Sequence, residues 1–120
     1  MSALKEKIAG IVEKIENISG VLNCALISRD GVLLGKSVSD SNEAWFAAMC
    51  ATILASAESI AVIVKSEAPH HITIQSPSGR TVIMGAGEKL LIAVYMNSSV
   101  ELDKTYETLS IVAEEIAGSF

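Results

Sequence analysis

Aromatic residues are scarce in this sequence: Phe, Trp and Tyr make up 4% of its 120 residues. An excess of basic residues is also absent, because the formal net charge is −5 at pH 7. Nucleic-acid-binding surfaces combine clustered Lys and Arg with aromatic side chains, and anionic membranes attract basic patches. The composition therefore argues against a nucleic-acid partner and against binding to an anionic membrane surface.

Long uncharged segments are few as well. The longest run without a charged residue, Ala44 to Ala57, is shorter than the ~20 residues that a membrane-spanning helix needs. Residues Met1 to Lys7 alternate in charge and lack the apolar core of a signal peptide. We therefore expect a cytoplasmic protein without a membrane span.

No group of residues has the spacing of a catalytic or metal-binding motif. Cys24 and Cys50 have apolar neighbours and form no CxxC pair, so we predict buried free thiols. His70 and His71 are adjacent, and neighbours on a strand point to opposite faces, so we predict an edge or loop role for them. Gly85 to Lys89 lacks the spacing of a phosphate-binding loop and precedes a strand, which indicates a hairpin turn. We predict no catalytic residues, no metal and no cofactor.

Aliphatic residues, by contrast, are abundant. Hydrophobic residues make up 50% of the sequence, and the mean hydropathy is +0.45. The length fits a single domain over residues 1–120, and a domain of this size keeps much of its surface in water. The surplus of apolar residues therefore indicates an interface.

Hydrophobic periodicity predicts an α/β fold, an α+β sandwich with the element order αββαβββα. Helices are predicted at residues 3–18, from Ser41 to about Ser66, and after Ser98. The predicted strands are Val21–Ser28, Val32–Ser37, His71–Gln75, Arg80–Met84 and Leu90–Met96. Hairpin turns, such as Asp30-Gly31, indicate a mainly antiparallel five-stranded sheet. The middle helix is expected on one face and the two terminal helices on the other.

Two helix starts carry the pattern of a capping box. Asp40 with Glu43 precedes the middle helix, and Ser98 with Glu101 precedes the last one. In this arrangement each side chain satisfies a backbone N–H of the other residue.

The middle helix is apolar on more than one side. On a helical wheel its strongest apolar stripe, which we expect to face the sheet, is Phe46, Cys50, Ile53, Ala57, Ile60 and Val64. A second zone mixes large apolar residues with small ones: Trp45, Ala48, Met49, Thr52, Ser56, Ser59 and Ile63. The charged residues Glu43, Glu58 and Lys65 are interpreted as the solvent-exposed edge.

Small residues four positions apart allow a second helix to approach closely. Two strips have this spacing, Ala48/Thr52/Ser56 and Ala47/Ala51/Ala55. We predict that one of them packs against the same helix of a second chain. The alternative is that Ala is simply a good helix former on an exposed face. The large apolar residues of the second zone flank the first strip and favour the interface.

Several of these segments give the chain a resemblance to the Roadblock/dynein light-chain domain family. The matching residues are Gly20-Val21, Ala25 to Gly31, the Ala-rich helix from Ala44, Ser78-Gly79-Arg80 and the strand Leu90 to Met96. The resemblance covers essentially all of residues 3 to 118. The bare single domain is similar to bacterial and archaeal members.

The resemblance implies an assembly and a partner. Family members form homodimers or heterodimers in which the middle helices pack together and the third strands join edge to edge. In this sequence that strand comprises His71, Ile72, Thr73, Ile74 and Gln75. Members bind small Ras-like GTPases as regulators or scaffolds, and the eukaryotic ones serve as dynein adaptors.

Two arginines, Arg29 and Arg80, lie at predicted hairpin turns. We interpret them as turn-flanking residues that aid solubility rather than as residues that assist GTP hydrolysis. The leading hypothesis is a non-enzymatic homodimeric scaffold or regulator that binds a small Ras-like GTPase. The alternatives are a small-ligand sensor, which needs a pocket with convergent polar groups, and a structural subunit of an adaptor.

Overall fold

The computed structural model describes residues 2–36, 42–97 and 102–120. Its elements follow the predicted order: α1 (Ser2–Glu16), β1 (Val21–Ser28), β2 (Leu33–Lys36), α2 (Glu43–Ile63), β3 (His71–Gln75), β4 (Gly79–Ala86), β5 (Leu90–Asn97) and α3 (Leu102–Ser119). The strands form one sheet in the order β2-β1-β5-β4-β3, and all neighbours are antiparallel. The predicted fold class is confirmed.

The turns form where the sequence places positive-φ glycines. Gly31 has φ +88°, and its N–H donates to the carbonyl of Ser28 at 2.9 Å, which closes the β1–β2 hairpin. Gly87 has φ +78° and lies in the β4–β5 turn. Because these backbone conformations are costly for other residues, the glycines fix the positions of both hairpins. The segment from Gly85 to Lys89 is thus a strand end and turn, as predicted.

Several predicted boundaries shift or lie outside the described residues. α2 begins at Glu43 rather than Ser41 and ends at Ile63 rather than Ser66. Its N-cap residue is Asn42, which makes no side-chain capping hydrogen bond. The predicted capping residues Asp40, Ser98 and Glu101 lie outside the described residues, as do Ser37 and Ser41.

The sheet separates two apolar cores. On one face, α1 and α3 pack on alternate residues of the central strands: Cys24, Leu26, Val82, Met84, Leu90, Ile92, Val94 and Met96. On the other face, α2 packs on Ala25, Ile27, Ile83, Leu91 and Ala93. This is the predicted three-layer arrangement, and it explains why β1 and β5 are apolar at nearly every position.

The side of α2 that faces the sheet differs from the predicted stripe. Its buried residues are Ala47, Cys50, Ala51, Leu54 and Ala61. Of the six residues predicted to face inward, Cys50 is buried, Ile53 and Ala57 are partly buried, and Phe46, Ile60 and Val64 are exposed. The small side chains let the helix axis approach the sheet and its turns closely: a Cβ on Gly31 would lie 3.2 Å from Cα of Ala48.

By length and composition, α2 is apolar enough to cross a membrane, and it is the one such helix among the described residues. It contains Glu58 and rests one side on the sheet, as core helices do. A core helix meets the same criterion, so this property is weak support for a membrane span.

Candidate interaction surface

The outer side of α2 is an exposed apolar strip. Trp45 is 71% exposed, Met49 49% and Ile63 76%. Thr52, Ser56 and Ser59 lie between them and are exposed, while Ala48 is partly buried beside Gly31. At 3.6 residues per turn these positions lie directly opposite Ala47, Leu54 and Ala61. We call the set Trp45, Ala48, Met49, Thr52, Ser56, Ser59 and Ile63 the outer strip.

The two charged residues of α2 do not lie on this strip. Glu43 Oε1 is 3.2 Å from Nζ of Lys36 in β2, and Glu58 accepts two hydrogen bonds from Nη1 of Arg29, both of 2.9 Å. Both carboxylates therefore lie on the side of the helix that faces the sheet, where they reach its rim. Glu43 and Glu58 keep 33% and 38% of their side chains exposed, so they reach solvent as predicted, but at the rim of the sheet. The outer side of α2 carries no charge.

One of the hydroxyl groups in the outer strip is satisfied within its own helix. The hydroxyl of Thr52 donates to the carbonyl of Ala48 one turn earlier at 2.8 Å. A bond of this kind satisfies the hydroxyl within its own helix. Packing another apolar surface on the strip would therefore leave the Thr52 hydroxyl satisfied.

The second Ala strip is not available to a partner chain. Ala47 and Ala51 are buried against the sheet, and Ala55, the third member, is exposed. The predicted alternative of a contact through Ala47, Ala51 and Ala55 is therefore excluded by the fold.

β3 forms one edge of the sheet, and its outer side pairs with no described strand. It pairs with β4 in an unbroken register from His71 to Gln75. Ile72 packs into the core under α2, and Ile74, two residues on, is 43% exposed on the same face. The predicted interface residues of β3 therefore form a regular, accessible edge beside the α2 layer.

Arg29 links α2 to the β4–β5 hairpin through side-chain hydrogen bonds. Its role is structural rather than one in solubility. Besides Glu58 it binds two carbonyls of the β4–β5 hairpin, Leu90 through Nε at 3.0 Å and Gly87 through Nη2 at 2.7 Å. A Cβ on Gly85 would lie 2.7 Å from Nη2, so a larger residue there would displace the guanidinium group. The earlier interpretation of Arg29 was wrong, because turn position alone does not show which way a long side chain folds. The isolated Glu58 within the apolar helix was the available signal.

Arg80 stays near its own turn. Its Nε donates to Oε1 of Gln75 at 2.7 Å, across the β3–β4 hairpin. Ser76 closes this hairpin through its N–H and its hydroxyl, each 2.9 Å from the carbonyl of Gly79.

The side chains of His70 and His71 contact each other, although neighbouring residues of a strand point to opposite faces. His70 precedes β3 and is not part of its pleat, and its Nδ1 lies 2.8 Å from Nδ1 of His71. Nε2 of His70 contacts Oγ of Ser110 in α3 at 2.7 Å. The rule that separates the two side chains applies only within a strand. No group of three or more His, Cys, Asp or Glu with a metal-site arrangement occurs in the described part of the chain.

Both cysteines are buried and neither forms a disulfide, as predicted. Burial raises the pKa of the Cys50 thiol from 9.0 to about 11. A thiol with a raised pKa is a poor nucleophile at neutral pH, so Cys50 acts as a small packing residue between α2 and the sheet.

Two cavities among the described residues bear on the small-ligand hypothesis, and both are small. One of about 230 Å³ lies between the start of α2 and the sheet, next to Phe46 and Tyr95. The other, of about 180 Å³, lies beside His70 and Glu114. Pockets that hold metabolite-sized ligands are typically about 300–1,000 Å³. The cavity sizes therefore give no support to the small-ligand sensor hypothesis.

Comparison with known proteins identifies the class. The sequence model of the Roadblock/LC7 domain family matches residues 7–96, which is most of the chain. The chain belongs to the Roadblock/LC7 domain family. Comparison with curated protein sequences gives no match.

Solved structures share the fold at low sequence identity. MglB from Myxococcus xanthus superposes with a TM-score of 0.87 at 12% identity, over 95% of this chain and 94% of that one. An MglB with a tetrameric arrangement gives 0.82 at 19% identity, over 94% and 87%. A Roadblock/LC7 domain from Streptomyces avermitilis gives 0.79 at 14% identity, over 92% of each chain. At these identities the likeness concerns the fold.

Proposed function

We propose that this chain is a non-enzymatic, homodimeric scaffold in the cytoplasm that binds a small Ras-like GTPase and regulates its nucleotide cycle. Its single Roadblock-like domain over residues 1–120 would supply the dimer. The observation that carries the proposal is the outer strip of α2, a large apolar surface from which every charge of the helix is turned away.

The dimer is supported first by the cost of leaving the outer strip in water. Exposed apolar surface of this extent is unusual for a monomer, and burial is worth roughly 25 cal/mol per Å². Ser56 and Thr52 have small side chains in the middle of the strip, so that two copies of α2 can approach closely. Trp45 and Ile63 then supply bulk near the two ends.

The edge of β3 supports the same dimer. Its regular register offers backbone groups to a second β3, and the two-fold axis that joins the strands would also relate the two α2 helices. Ile74 would bring its apolar side chain to the junction between strand and helix. The homodimer would then bury α2 and extend the sheet at once.

Family membership supports the GTPase as partner, because Roadblock-type domains resemble one another in binding Ras-like GTPases. The tetrameric arrangement of one structurally similar MglB supports assembly of this fold beyond a single chain. The net charge of −5 agrees with a protein partner rather than nucleic acid.

The experiment has two arms. Light scattering at low micromolar concentration is expected to give twice the 12.6 kDa mass of one chain. Tagged protein is then incubated with extract of its own cells, loaded with GDP or with a non-hydrolysable GTP analogue, and captured proteins are identified by mass spectrometry.

A small GTPase enriched in one nucleotide state, with altered hydrolysis or exchange when the purified partners are mixed, is the expected result. A single-chain mass would overturn the homodimer. A dimer that captures no GTPase in either state would overturn the GTPase scaffold, and capture of adaptor subunits alone would favour the structural role.

A further inference from the structure

The side of β3 that faces the α3 layer is polar. His71 lies opposite Met84, which is buried in the core under α1 and α3, so His71, Thr73 and Gln75 alternate toward that layer. Ile72 points the other way, into the core under α2. Within the described part of the chain β3 has a strand neighbour on one side only. Its polar contacts with α3 therefore help to decide how firmly this edge strand is held.

Three contacts join the start of β3 to α3. Nε2 of His70 lies 2.7 Å from Oγ of Ser110. The ring of His71 stacks on Tyr106 with centroids 4.1 Å apart, and the Tyr106 hydroxyl is 2.6 Å from Oγ1 of Thr73. A hydrogen bond between Nδ1 of His70 and Nδ1 of His71, 2.8 Å long, links the two rings. We call these four contacts the histidine latch.

The hydrogen bond between the rings requires a lone pair on one of the two Nδ1 atoms. One Nδ1 donates its proton and the other accepts, in either tautomer. A first added proton is tolerated, because an imidazolium ring still donates to a neutral one. When both rings are protonated, two N–H groups face each other and two positive charges lie side by side, so the bond is lost.

The surroundings offer little compensation for a second positive charge. The groups that face the two rings or the cavity beside them are Met84 and Gly85 of β4 and Tyr106, Ser110 and Glu114 of α3. Glu114 is the one carboxylate among them, and within the described residues it forms no ion pair with either histidine. The doubly protonated pair would therefore lack a bound counter-charge.

The ionisation of His71 agrees with this geometry. Burial, and after it the neighbouring His70, lower the pKa of His71 below its ordinary value of 6.5. Below pH 6.5 the unfolded chain therefore binds more protons at this position than the folded chain does. The stability that the neutral ring supports is thus present above pH 6.5 and is lost as pH falls below it.

We propose that the histidine latch is acid-sensitive: it holds β3 on α3 while at most one of its two rings is protonated, and it releases the start of β3 when both are. Because β3 is the edge through which the proposed homodimer joins, release would also weaken the dimer. This second step rests on the proposed function, whereas the first concerns the single chain.

The composition makes the latch easy to isolate by pH. Histidine is the side chain whose ordinary titration falls between pH 5 and pH 8, and the chain has 2. Ordinary carboxylates stay ionised down to about pH 5. A change between pH 7.5 and pH 5.5 can therefore be assigned to His70 and His71 by substituting them.

The first arm of the test is NMR of the full chain from pH 8 to pH 4.5, which follows the imidazole C–H signals and the protection of the β3 amides against hydrogen exchange. We expect two separate protonation steps, and a fall in protection of about fivefold or more at the second step only, as for one lost hydrogen bond. Protection unchanged in acid, or both rings titrating in one common step, would overturn the latch.

Two variants separate the hydrogen bond from the ring contacts. In His70→Asn the amide oxygen accepts from His71 in its charged form as well, so acid should no longer lower the protection of β3. His71→Phe keeps a ring on Tyr106 but cannot form the bond, so protection should be low at every pH. Glu114→Gln is the matched control and should respond to acid as wild type does. An acid response in His70→Asn equal to that of wild type would overturn the role of the paired rings.

The second arm is sedimentation velocity at pH 7.5 and pH 5.5. We expect the dimer dissociation constant of wild type to rise about fivefold or more in acid, and that of His70→Asn to stay nearly constant. A single-chain mass at both pH values would overturn the homodimer, while the NMR arm still decides the latch. A latch that opens without weakening an existing dimer would overturn the link between the latch and assembly.

Discussion

The inner and outer sides of α2 are made of similar residues, yet they face different surroundings. The inner side carries Ala47, Cys50 and Leu54, and the outer side carries Trp45, Met49 and Ile63. The charged residues lie on the inner side, where Lys36 and Arg29 receive them at the rim of the sheet. In a helix that is apolar on all sides, the ion pairs of its few charged residues therefore indicate which side faces the domain's own core.

The inner side should respond most strongly to truncation. Leu54→Ala removes a side chain that is 1% exposed and is expected to lower the free energy of unfolding by about 2–5 kcal/mol, because it leaves a cavity. Urea unfolding at fixed protein concentration measures the change. Val62→Ala, on the same helix but 76% exposed, is the control and should change stability by less than about 0.5 kcal/mol. Equal losses in both variants would contradict the assignment of the two sides.

The outer side should respond in assembly rather than in folding. Met49→Asp places a charge on the outer strip and is expected to raise the dimer dissociation constant about a hundredfold or more, since the carboxylate would be desolvated. Sedimentation velocity over a concentration series measures it. Ile111→Asp, at a residue of α3 that is 55% exposed on the opposite layer, is the matched control. If both variants dissociate alike, the outer strip is not the interface.

The Cys50 thiol, on the inner side of α2, makes the free energy of unfolding depend on pH. Its pKa is about 11 in the folded chain against 9.0 for an ordinary thiol. Between these values the folded state holds a proton that the unfolded state has lost, so stability falls as pH rises, by about 2 kcal/mol up to pH 11. Unfolding curves from pH 8 to pH 11 should show this loss in wild type and a shallower slope in Cys50→Ala. Parallel slopes would refute it.

The ion pair at the rim should have the smallest effect. Glu58→Gln removes the charge that Arg29 binds and is expected to cost about 1 kcal/mol at low salt, because the pair is only half-buried. Thermal unfolding at low and high salt measures it, and the difference from wild type should shrink as salt screens the pair. Glu114→Gln, at an exposed residue of α3, should be neutral. A loss that is independent of salt would point to the hydrogen bonds rather than the charge.

Most of the fold was predictable because strand and turn signals are local. β1 and β3 have the predicted bounds, and Asp30-Gly31 forms the predicted turn. The inward side of α2 was not predictable from a helical wheel, because Phe46 and Ile60 look more suitable for a core than Ala47 and Ala51. The short side chains face the sheet because they let the helix lie close to it.

The outer strip was predictable because its small and large residues alternate with helical spacing, although its role as an interface remains a prediction. The contacts of Arg29 and of His70 were not, because each joins segments far apart in sequence: Arg29 reaches Gly87, and His70 reaches Ser110. Such contacts depend on the three-dimensional approach of hairpins and helices, which no local pattern encodes.

The two edges of the sheet differ in a way that limits how far assembly can proceed. β2 is four residues long, and the register changes from Leu26–Gly35 to Ile27–Leu33, which leaves Leu34 as an extra residue in a bulge. Its last residue, Lys36, is held by Glu43. Bulged, short, charged edges resist further strand addition. A pair of chains joined through β3 would therefore present blocked edges at both ends, so that the growing sheet terminates as a finite particle and does not propagate into a fibre.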